Sequence, residues 1–419
     1  MTRIVLDQVI EAAPARVVLT RDADGTVTQA AFDLSGLPRV DAALIGRHVA
    51  EVPDLVARLC GICPSAHHLA GVRALESLAG VGELPPTAQA VRRLLHHAGV
   101  VSIHAVGLVA AHPDEALLLR RFAKAVMAAA GSPGHFPVTA VPGGVIAPVS
   151  NEDRDACLAL VADVIAAARR VAEQALARPA PPDPFAGADV ALVDGAGCLD
   201  LFGLTLRAVA ADGTVLVRAG TPAQWDGLVA EADPGSSAPK PYLVPLGAGR
   251  GAYRVGPVAQ LRVGPVPTPL AAQMQAAWRH GTGGAASARA IIVVHAVEVV
   301  RAMLESPELT AGETTTPWPA VLPAGIGIGW VDGARGLLVH RYAAASDGRV
   351  AAATILTPTA QNEPWLDDLL RAAGAPDGDS AADLEDAIRE ADPCLPCSSV
   401  PPGTMDLVVE VVPTDQRKD

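Results

Sequence analysis

The sequence predicts an α+β fold in which long helices and short strands occupy different stretches of the chain. Apolar residues recur every three or four positions over residues 66–79 and 87–111, with few helix breakers, as in helices that bury one face. Residues 16–19 and 26–32 instead alternate apolar and polar side chains on either side of Asp24-Gly25. An Asp-Gly pair in that setting is typical of a hairpin turn. We expect this hairpin to lie at the edge of the fold, where it supports the core.

The remaining elements follow in order along the chain. Ser150, with Asp153 three residues later, predicts a capped helix that runs to about residue 178. The proline-rich residues 179–184 end that helix and mark the best internal boundary. Beyond the boundary we predict short strands over residues 190–261 with a second Asp-Gly turn at 212–213, a helix over 267–304 broken near 281–284, a glycine-rich strand or turn over 325–340, and a short helix over 383–390.

We predict that these elements form a single domain over residues 1–419. Four regions differ within it: an N-terminal β-hairpin region over residues 1–55, a helical core with the first cysteine pair over 56–178, a strand-rich and loop-rich insert over 179–265, and a mixed helical region with the second cysteine pair over 266–419. Half of the residues are hydrophobic, which is enough to build one large core.

The composition excludes several classes of function. A net charge of −13 argues against binding to nucleic acids or anionic membranes, and 3% aromatic residues leave few rings on which single-stranded bases could stack. No apolar run reaches the roughly 18 residues of a membrane-spanning helix, and the N-terminus lacks a signal pattern. Six cysteines in 419 residues fit a reducing compartment, so we predict a cytoplasmic location.

The first of two Cys-x-x-Cys pairs consists of Cys60 and Cys63. Pro64 is well placed to open a helix, because its missing N–H has no partner in a first helical turn. Cys63 would then lie at a helix N-terminus with Arg58 nearby. Both features favour the thiolate over the thiol, as a metal ligand requires.

The second pair, Cys394 and Cys397, lies near the other end of the chain. Four thiolates from two such pairs make a soft site that suits zinc, an iron–sulfur cluster or another thiophilic metal. Structural zinc is a common use of this arrangement, and the cysteines alone leave these alternatives open.

The residues around the two cysteine pairs narrow the choice among these kinds of metal site. Arg-x-Cys-Gly-x-Cys-x-x-x-His over residues 58–67 and Asp-Pro-Cys-x-x-Cys over residues 392–397 together resemble the large, catalytic subunit of nickel–iron hydrogenases. The resemblance continues through Val-Pro-Gly-Gly-Val at 141–145 and Arg-Gly-x-x-x-His at 335–340, in the family's order. It implies a predominantly α-helical body with small peripheral β-sheets.

The resemblance also implies a metal centre and a reaction. Cys60, Cys63, Cys394 and Cys397 would bind nickel, and Cys63 and Cys397 would also bridge to an iron that carries cyanide and carbon monoxide. The reaction would be the reversible heterolytic cleavage of H2 into two protons and two electrons. Cys394 would accept a proton as the nearby base, and His67 would orient a bridging thiolate.

Four residues outside the cysteine pairs receive roles through the same resemblance. Arg335 would lie over the open face of the metal site, and Thr359 would hydrogen-bond the cyanides. Asp114, in a Pro-Asp pair that follows a long helix, would lie close to the metal, and Glu11 would relay protons. The sequence departs from the family beside two of them. The residues after Glu11 are Ala-Ala instead of Gly-His, and Asp-Gly-Ala replaces Glu-Ala-Pro before Arg335.

An electron relay has to come from a partner, because the two remaining cysteines, Cys157 and Cys198, have no metal-ligand spacing. An iron–sulfur small subunit is therefore the expected partner, and further electron-transfer subunits can join it. In this family an export signal can reside on the partner, so a partner can also direct the chain to export or to a membrane.

One further departure lies after the second cysteine pair. The family's last motif continues to a His or Arg at the position of Val400, and maturation cleaves the chain after that residue. Here Pro401 follows Val400, and bonds that precede proline are poor protease substrates, so we predict no cleavage. Two other functions stay open: a metal-bearing homologue without turnover, such as a hydrogen sensor or an assembly partner, and a structural zinc protein with four cysteine ligands.

Overall fold

The computed structural model describes residues 15–34, 40–280, 283–319, 321–374, 381–395, 398 and 400–414. Glu11 and Cys397 lie outside these residues, so the roles predicted for them stay predictions. Among the residues that are described, no helix combines the length and the apolar character needed to cross a membrane.

Helices make up 45% of the structure and the sheets are small, which confirms the predicted α+β class with more helix than strand. The α-helices are α1 Val52–Val56, α2 Pro64–Ala79, α3 Pro86–Leu108, α4 Pro113–Ala129, α5 Asn151–Leu158, α6 Val161–Leu176, α7 Trp225–Leu228, α8 Pro257–Val263, α9 Pro269–His280, α10 Ala285–Glu305, α11 Pro358–Gln361, α12 Glu363–Ala373 and α13 Ala381–Ala391. Short 3-10 helices lie at Val40–Leu44, Val49–Glu51, Pro222–Gln224, Val244–Leu246 and Pro307–Leu309.

The strands form small sheets. They are β1 Ala15–Arg21, β2 Val27–Phe32, β3 Ala140–Val141, β4 Gly144–Val145, β5 Ala188–Val193, β6 Thr205–Val209, β7 Val215–Gly220, β8 Val229–Glu231, β9 Pro241–Leu243, β10 Tyr253–Arg254, β11 Gly325–Gly333, β12 Gly336–Ala344, β13 Val350–Leu356 and β14 Leu407–Pro413. Their order is β14-β1-β2, β10-β5-β6-β7 and β11-β12-β13, with two-stranded pairs β3-β4 and β8-β9. The short strands predicted over residues 190–261 are confirmed.

The helix predicted from Ser150 onward is divided in two. Ser150 caps α5 as predicted, because its side chain accepts a hydrogen bond from the N–H of Asp153. The N–H of Leu160 then bonds to the carbonyl of Cys157, at 3.1 Å, which is a tighter turn than an α-helix allows. The chain therefore ends α5 at Leu158 and begins α6 at Val161. The break predicted near residues 281–284 separates α9 from α10 as expected.

The predicted N-terminal hairpin is present, but its first strand is not an edge strand. β1 pairs antiparallel with β2 and, on its other side, parallel with β14 from the C-terminal end of the chain. Ala15 lies opposite Leu407 and Arg21 opposite Pro413. The two ends of the chain therefore meet in one sheet, which the sequence analysis did not predict.

Two long helices, α3 and α10, lie at the centre of the helical body. They pack against each other, and α4 and α6 cover them. Both are rich in alanine and valine and are buried on most of their faces. Small side chains allow helix axes to approach closely, so this composition allows α3 and α10 to pack closely against their neighbours.

A buried ion pair fixes α2 against its neighbours. Nη1 and Nη2 of Arg92 lie 2.9 and 2.6 Å from the carboxylate oxygens of Glu76. Arg92 also donates to the carbonyls of Val141 and Gly144, and Glu76 accepts from the N–H of Gly143 at 2.8 Å. Such full pairing is what a buried guanidinium requires. The pair ties α2 to α3 and to the β3-β4 hairpin.

The glycine-rich segment predicted as a strand or turn is β11, and its glycines bring it against α2. A Cβ atom built on Gly329 would lie 2.3 Å from the amide nitrogen of Ala74 and 2.4 Å from the carbonyl oxygen of Ala70. A Cβ on Gly327 would lie 2.1 Å from the carbonyl oxygen of Ala74. The α2 backbone therefore rests directly on β11, and this contact fixes the helix that follows the first cysteine pair.

Replacing Gly329 by alanine is expected to destabilise the protein strongly. The added methyl group would overlap backbone atoms of α2, which cannot move aside as a side-chain end can, so the cost should reach about 3 kcal/mol or more. Denaturant unfolding monitored by circular dichroism measures it. Gly82→Ala is the matched control, because no heavy atom lies within 4 Å of a Cβ at Gly82. Equal stability of the two variants would contradict the close packing of α2 on β11.

Candidate metal centre

Three cysteine side chains from opposite ends of the chain converge at the N-terminus of α2. Cys60 lies in the loop between α1 and α2, Cys63 is the N-cap of α2, and Pro64 is its first residue, as predicted. Cys394 comes from the loop after α13. Its Sγ atom lies 3.7 Å from that of Cys60 and 3.7 Å from that of Cys63, and the Cys60 and Cys63 sulfurs are 3.1 Å apart.

These separations fit a tetrahedral thiolate site. Metal–sulfur bonds of about 2.3 Å place neighbouring sulfurs of a tetrahedron about 3.8 Å apart, close to the observed 3.1–3.7 Å. A ring nitrogen of His67 also lies within 4.8 Å of the sulfurs of Cys60 and Cys63. The three described cysteines can therefore share one soft metal ion with small adjustments, and the fourth predicted ligand, Cys397, is outside the described residues.

Hydrogen bonds among the three cysteines shift their pKa values in different directions. Cys60 accepts from the thiol of Cys63 and from the N–H groups of Ile62 and Cys63, the last two at 3.4 Å each. Hydrogen bonds with Cys394 and Cys63 lower the pKa of Cys60 far below its ordinary value. Hydrogen bonding with Cys394 raises the pKa of Cys63, and hydrogen bonding with Cys60 raises that of Cys394 to about 12. A metal ion that binds all three sulfurs must therefore release protons.

The sequence predicted that the N-terminus of α2 and Arg58 favour the thiolate of Cys63. Hydrogen bonding with Cys394 and Cys60 raises the pKa of Cys63 instead, and Arg58 faces a different group. Its side chain is exposed, and its guanidinium carbon lies 5.8 Å from the ring centroid of Phe136. A hydrogen bond with His67 helps to lower the pKa of Cys60, after the larger effects of Cys394 and Cys63. Closeness in sequence did not predict the direction of the arginine side chain.

Arg335 lies in the turn between β11 and β12 and reaches the loop that carries Cys394. Its Nε donates to the carbonyl of Asp392 at 3.1 Å, and its Nη2 donates to the Asp392 carboxylate at 3.2 Å. Burial opposes the charged form, but Asp392 and the sulfurs of Cys394 and Cys63 outweigh it and raise the pKa of Arg335. Its Nη1 is buried and has no hydrogen-bond partner among the described residues. A buried donor of this kind suits an anionic partner.

The carboxylate of Asp332 fixes this turn from the inside. Asp332 is fully buried and accepts from Nε2 of Gln260 at 2.6 Å and from the N–H of Leu192 at 3.1 Å. Burial raises the pKa of Asp332 to about 7. The residue that replaces the family's glutamate therefore connects β11 to α8 and β5, and so holds the backbone that presents Arg335.

The loop that carries Cys394 is held at two further points. Asp392 has a φ of 48°, a left-handed conformation that aspartate adopts more readily than most residues, and this turns the chain from α13 toward the cluster. The hydroxyl of Thr359 accepts from the N–H of Cys394 at 2.7 Å. A threonine hydroxyl keeps its own hydrogen to donate elsewhere. The sequence analysis predicted Thr359 as a site residue but did not predict this contact or the Arg335–Asp392 pair.

Two residues that had no predicted role lie behind His67. Nδ1 of His67 lies 3.0 Å from Nε2 of His340, and Nδ1 of His340 hydrogen-bonds to the hydroxyl of Tyr342. All three side chains are buried. His340 and Tyr342 are two positions apart on β12, and residues with that spacing share one face of a strand. That spacing was the available signal for Tyr342, which the sequence analysis missed.

The structure does not bring Asp114 to the cysteine cluster. Asp114 is exposed in the first turn of α4 and does not line the cavity that the cysteines face, so its predicted place beside the metal is corrected.

Of the histidines on α3, His96 donates from Nε2 to the carbonyl of Asp332 at 3.0 Å. His104 is buried, and its Nε2 has no partner among the described residues.

The cluster opens onto a cavity of about 2190 Å³, lined by the three cysteines and by Arg335 and Thr359 among others. Pockets for small ligands measure about 300–1000 Å³, so this space far exceeds the needs of a small substrate. Apolar side chains with exposed fractions of 40–64% lie on its rim or in the adjoining segments: Val106, Val109, Phe136, Val138 and Ile146. Exposed apolar side chains grouped in this way are typical of a surface that another macromolecule covers.

Comparisons with known proteins agree on one family. The family model described as nickel-dependent hydrogenase matches residues 40–112. One chain of the F420-non-reducing hydrogenase vhu of Methanocaldococcus jannaschii is 29% identical over 85% of this chain and 95% of its own length. The beta subunit of the NAD-reducing hydrogenase HoxS of Cupriavidus necator is 28% identical over 94% of each chain. A crystal structure of an NAD+-reducing [NiFe]-hydrogenase in the H2-reduced state superposes with a TM-score of 0.80, at 27% identity, over 91% of this chain and 95% of that one.

Proposed function

We propose that the chain, which the comparisons place beside nickel-dependent hydrogenases, is the catalytic subunit of a nickel–iron hydrogenase. The reaction is the reversible heterolytic cleavage of H2 to protons and electrons, and the electrons pass to an iron–sulfur partner subunit. The observation that carries this proposal is the convergence of Cys60, Cys63 and Cys394 within 3.7 Å beside the buried Arg335.

The cysteines would hold the metal centre, which supplies the Lewis-acid and redox chemistry of H2 cleavage when it is bound. Cys60 and Cys63 reach it from the N-terminus of α2, and Cys394 reaches it from the loop after α13. Cys397 would supply the fourth sulfur. Cys63 and Cys397 would also hold the iron.

Cys394 would hold the transferred proton on its sulfur. A base must be placed within hydrogen-bond reach of the group whose proton it takes, and two contacts keep Cys394 in place. Thr359 accepts a hydrogen bond from its N–H. Arg335 donates hydrogen bonds to Asp392, two residues before it. Glu11 stays our candidate for carrying the proton onward.

Arg335 and Thr359 would bind the cyanide ligands of the iron. Nη1 of Arg335 is a buried cationic donor without a partner among the described residues, and the Thr359 hydroxyl has a hydrogen to donate. An anionic diatomic ligand satisfies both groups. Without such a ligand, the buried donor of Arg335 would lose its hydrogen bond to water and gain nothing in return.

The partner would be an iron–sulfur small subunit that docks at the cavity and its apolar rim. Cys157 and Cys198 have no metal-ligand spacing, so iron–sulfur clusters are expected only in the partner. The cavity of about 2190 Å³ leaves room for part of another chain to approach the cysteines. We place this complex in the cytoplasm, on the basis of the low cysteine content.

Infrared spectroscopy of the chain purified with its partner tests the proposal. Sharp carbonyl and cyanide stretches, with nickel and iron present in equal amounts and H2 oxidation by the same sample, are the expected result. Such bands without any H2 turnover would instead identify a sensor or an assembly partner. A sample with zinc, no bands and no nickel would overturn the hydrogenase function and leave a structural zinc protein.

A further inference from the structure

The resemblance to the family already gives His67 the role of orienting a thiolate. We propose that Tyr342 and His340 act as positioning residues that set the tautomer of His67, so that its hydrogen-bond donor faces the cysteine cluster. The inference deepens the proposed function and rests on it only where the loaded enzyme is concerned. The contacts that support it belong to the chain itself.

The three side chains form an unbroken line of hydrogen bonds. The Tyr342 hydroxyl pairs with Nδ1 of His340, and Nε2 of His340 lies 3.0 Å from Nδ1 of His67. Since Nδ1 of His67 is engaged in this way, Nε2 is left to face the cysteine sulfurs within 4.8 Å. The side chain of His67 hydrogen-bonds with that of Cys60.

Burial determines the protonation of Tyr342 and His340, the two residues of the line that lie farther from the cysteines. Tyr342 is fully buried, and burial raises the pKa of its hydroxyl well above the ordinary value, so the hydroxyl keeps its hydrogen. Burial also lowers the pKa of His340 far below its ordinary value, so that ring is neutral. A neutral imidazole has one donor nitrogen and one acceptor nitrogen.

Only one direction of donation leaves no buried hydrogen without an acceptor. If Tyr342 donates to Nδ1 of His340, then Nε2 of His340 carries the hydrogen and donates to Nδ1 of His67. Because Nδ1 of His67 accepts this hydrogen bond, the ring hydrogen of His67 is on Nε2, which donates to a sulfur. In the opposite direction, His340 would donate to the tyrosine oxygen, and the hydroxyl hydrogen would have no acceptor among the described residues.

The choice of direction decides the chemistry of His67. A nitrogen that carries a hydrogen cannot bind a metal, because its lone pair is not available. A donor hydrogen bond to a thiolate instead stabilises the negative charge on sulfur and fixes its orientation. The line therefore excludes His67 from the ligand set, although its ring lies close enough to bind.

The packing around the line is adapted to it. Gly71 of α2 faces His340 and Tyr342, and a Cβ there would lie 3.3 Å from the Tyr342 hydroxyl oxygen and 3.6 Å from Nδ1 of His340. It would also lie 2.7 Å from a methyl group of Val56. A glycine at this position therefore leaves the space in which the two rings meet.

Nitrogen-15 NMR of histidine-labelled, metal-free full-length chain tests the proposal directly, with His67 assigned from a His67→Gln variant. In the wild type, Nε2 of His67 should be of the protonated type and Nδ1 of the unprotonated type. Tyr342→Phe removes the hydroxyl and keeps the ring, and it should replace this single tautomer by a mixture. Tyr242→Phe, at a tyrosine in β9, is the control and should change nothing.

Two results would overturn the proposal. One is a wild-type His67 with the hydrogen on Nδ1. The other is an unchanged tautomer in Tyr342→Phe, which would show that the tyrosine only fills space. His340→Gln and His340→Leu add a second comparison. The glutamine amide can replace Nε2–H of His340 as a donor and should keep the tautomer, whereas leucine should lose it even if both variants fold.

The loaded enzyme provides an independent readout. In samples that show carbonyl and cyanide stretches, Tyr342→Phe and His340→Leu should shift these bands, because a weaker hydrogen bond to sulfur changes the electron density that the thiolates donate. His340→Gln should leave them near the wild-type positions. If the wild type shows no bands, the proposed function fails, and the tautomer measurement still decides the role of Tyr342.

Discussion

Replacing Cys394 by serine is expected to remove nickel from the protein and to lower H2 oxidation by more than about 100-fold. Loss of an outer hydrogen-bond partner of a metal ligand typically costs 10–100-fold, and Cys394 is itself a proposed ligand. A serine hydroxyl is a hard ligand that keeps its proton at neutral pH, so it cannot replace a thiolate for a thiophilic metal. The backbone should stay in place, because Thr359 holds the N–H of residue 394 and not its side chain.

Nickel content by elemental analysis and H2-dependent dye reduction measure the two effects. Cys198→Ser is the matched control: Cys198 is half-buried like Cys394 but lies outside the cluster, in a turn held by Asp194. It should keep both nickel and activity. A Cys394→Ser protein that retains full nickel and turnover would show that the centre is not held by the converging sulfurs.

The sequence analysis predicted each half of this centre but not how the halves connect. Cys60 and Cys63 are three residues apart, so their sulfurs meet in almost any local fold, and the spacing alone indicates a ligand pair. The approach of Cys394, which is 334 residues from Cys60 in sequence, depends on the packing of the whole helical body. The presence of two Cys-x-x-Cys pairs and the resemblance to a known family indicated a shared site, but neither predicted the contacts that bring Cys394 to it.

The wrong prediction for Arg58 and the missed ion pair of Arg335 with Asp392 have the same cause. Arg58 is next to the cysteines in sequence, yet its side chain turns outward to Phe136. Asp392 and Arg335 are 57 residues apart and form an ion pair at the centre. Local patterns specify helices, turns and caps, because these depend on neighbours within about four residues. They do not specify which side chains from distant segments share one buried space.

The pairing of β14 with β1 was also not predicted from local patterns. This pairing bears on the maturation of the chain. We predicted from Val400 and Pro401 that no cleavage occurs there. The structure gives the residues beyond Val400 a place in the fold. Arg389 of α13 donates to the carbonyls of Val400 and Pro401 at 2.8 and 3.0 Å. It also pairs with Glu385 at 2.6 Å, and Glu385 accepts from the N–H of Gly403.

A chain that ends after residue 405 is therefore expected to be less stable than the full chain. It lacks β14, whose seven residues pair with β1, and it leaves that edge of β1 without hydrogen-bond partners. Several ladder hydrogen bonds with a net value of about 0.5–1.5 kcal/mol each predict a loss of about 3 kcal/mol or more. The buried Val17 and Leu19 of β1 should also become more accessible, so the shortened chain should aggregate more readily.

The measurement is the free energy of unfolding in denaturant, together with the mass of the chain isolated from active, nickel-containing enzyme. A chain that ends after Thr414 keeps β14 and is the matched control, and it should be as stable as the full chain. The mass should retain residues 400–414, because β14 joins the two ends of the fold and its removal exposes a strand edge. Active enzyme that lacks these residues would show that the pairing of β1 with β14 belongs only to a precursor.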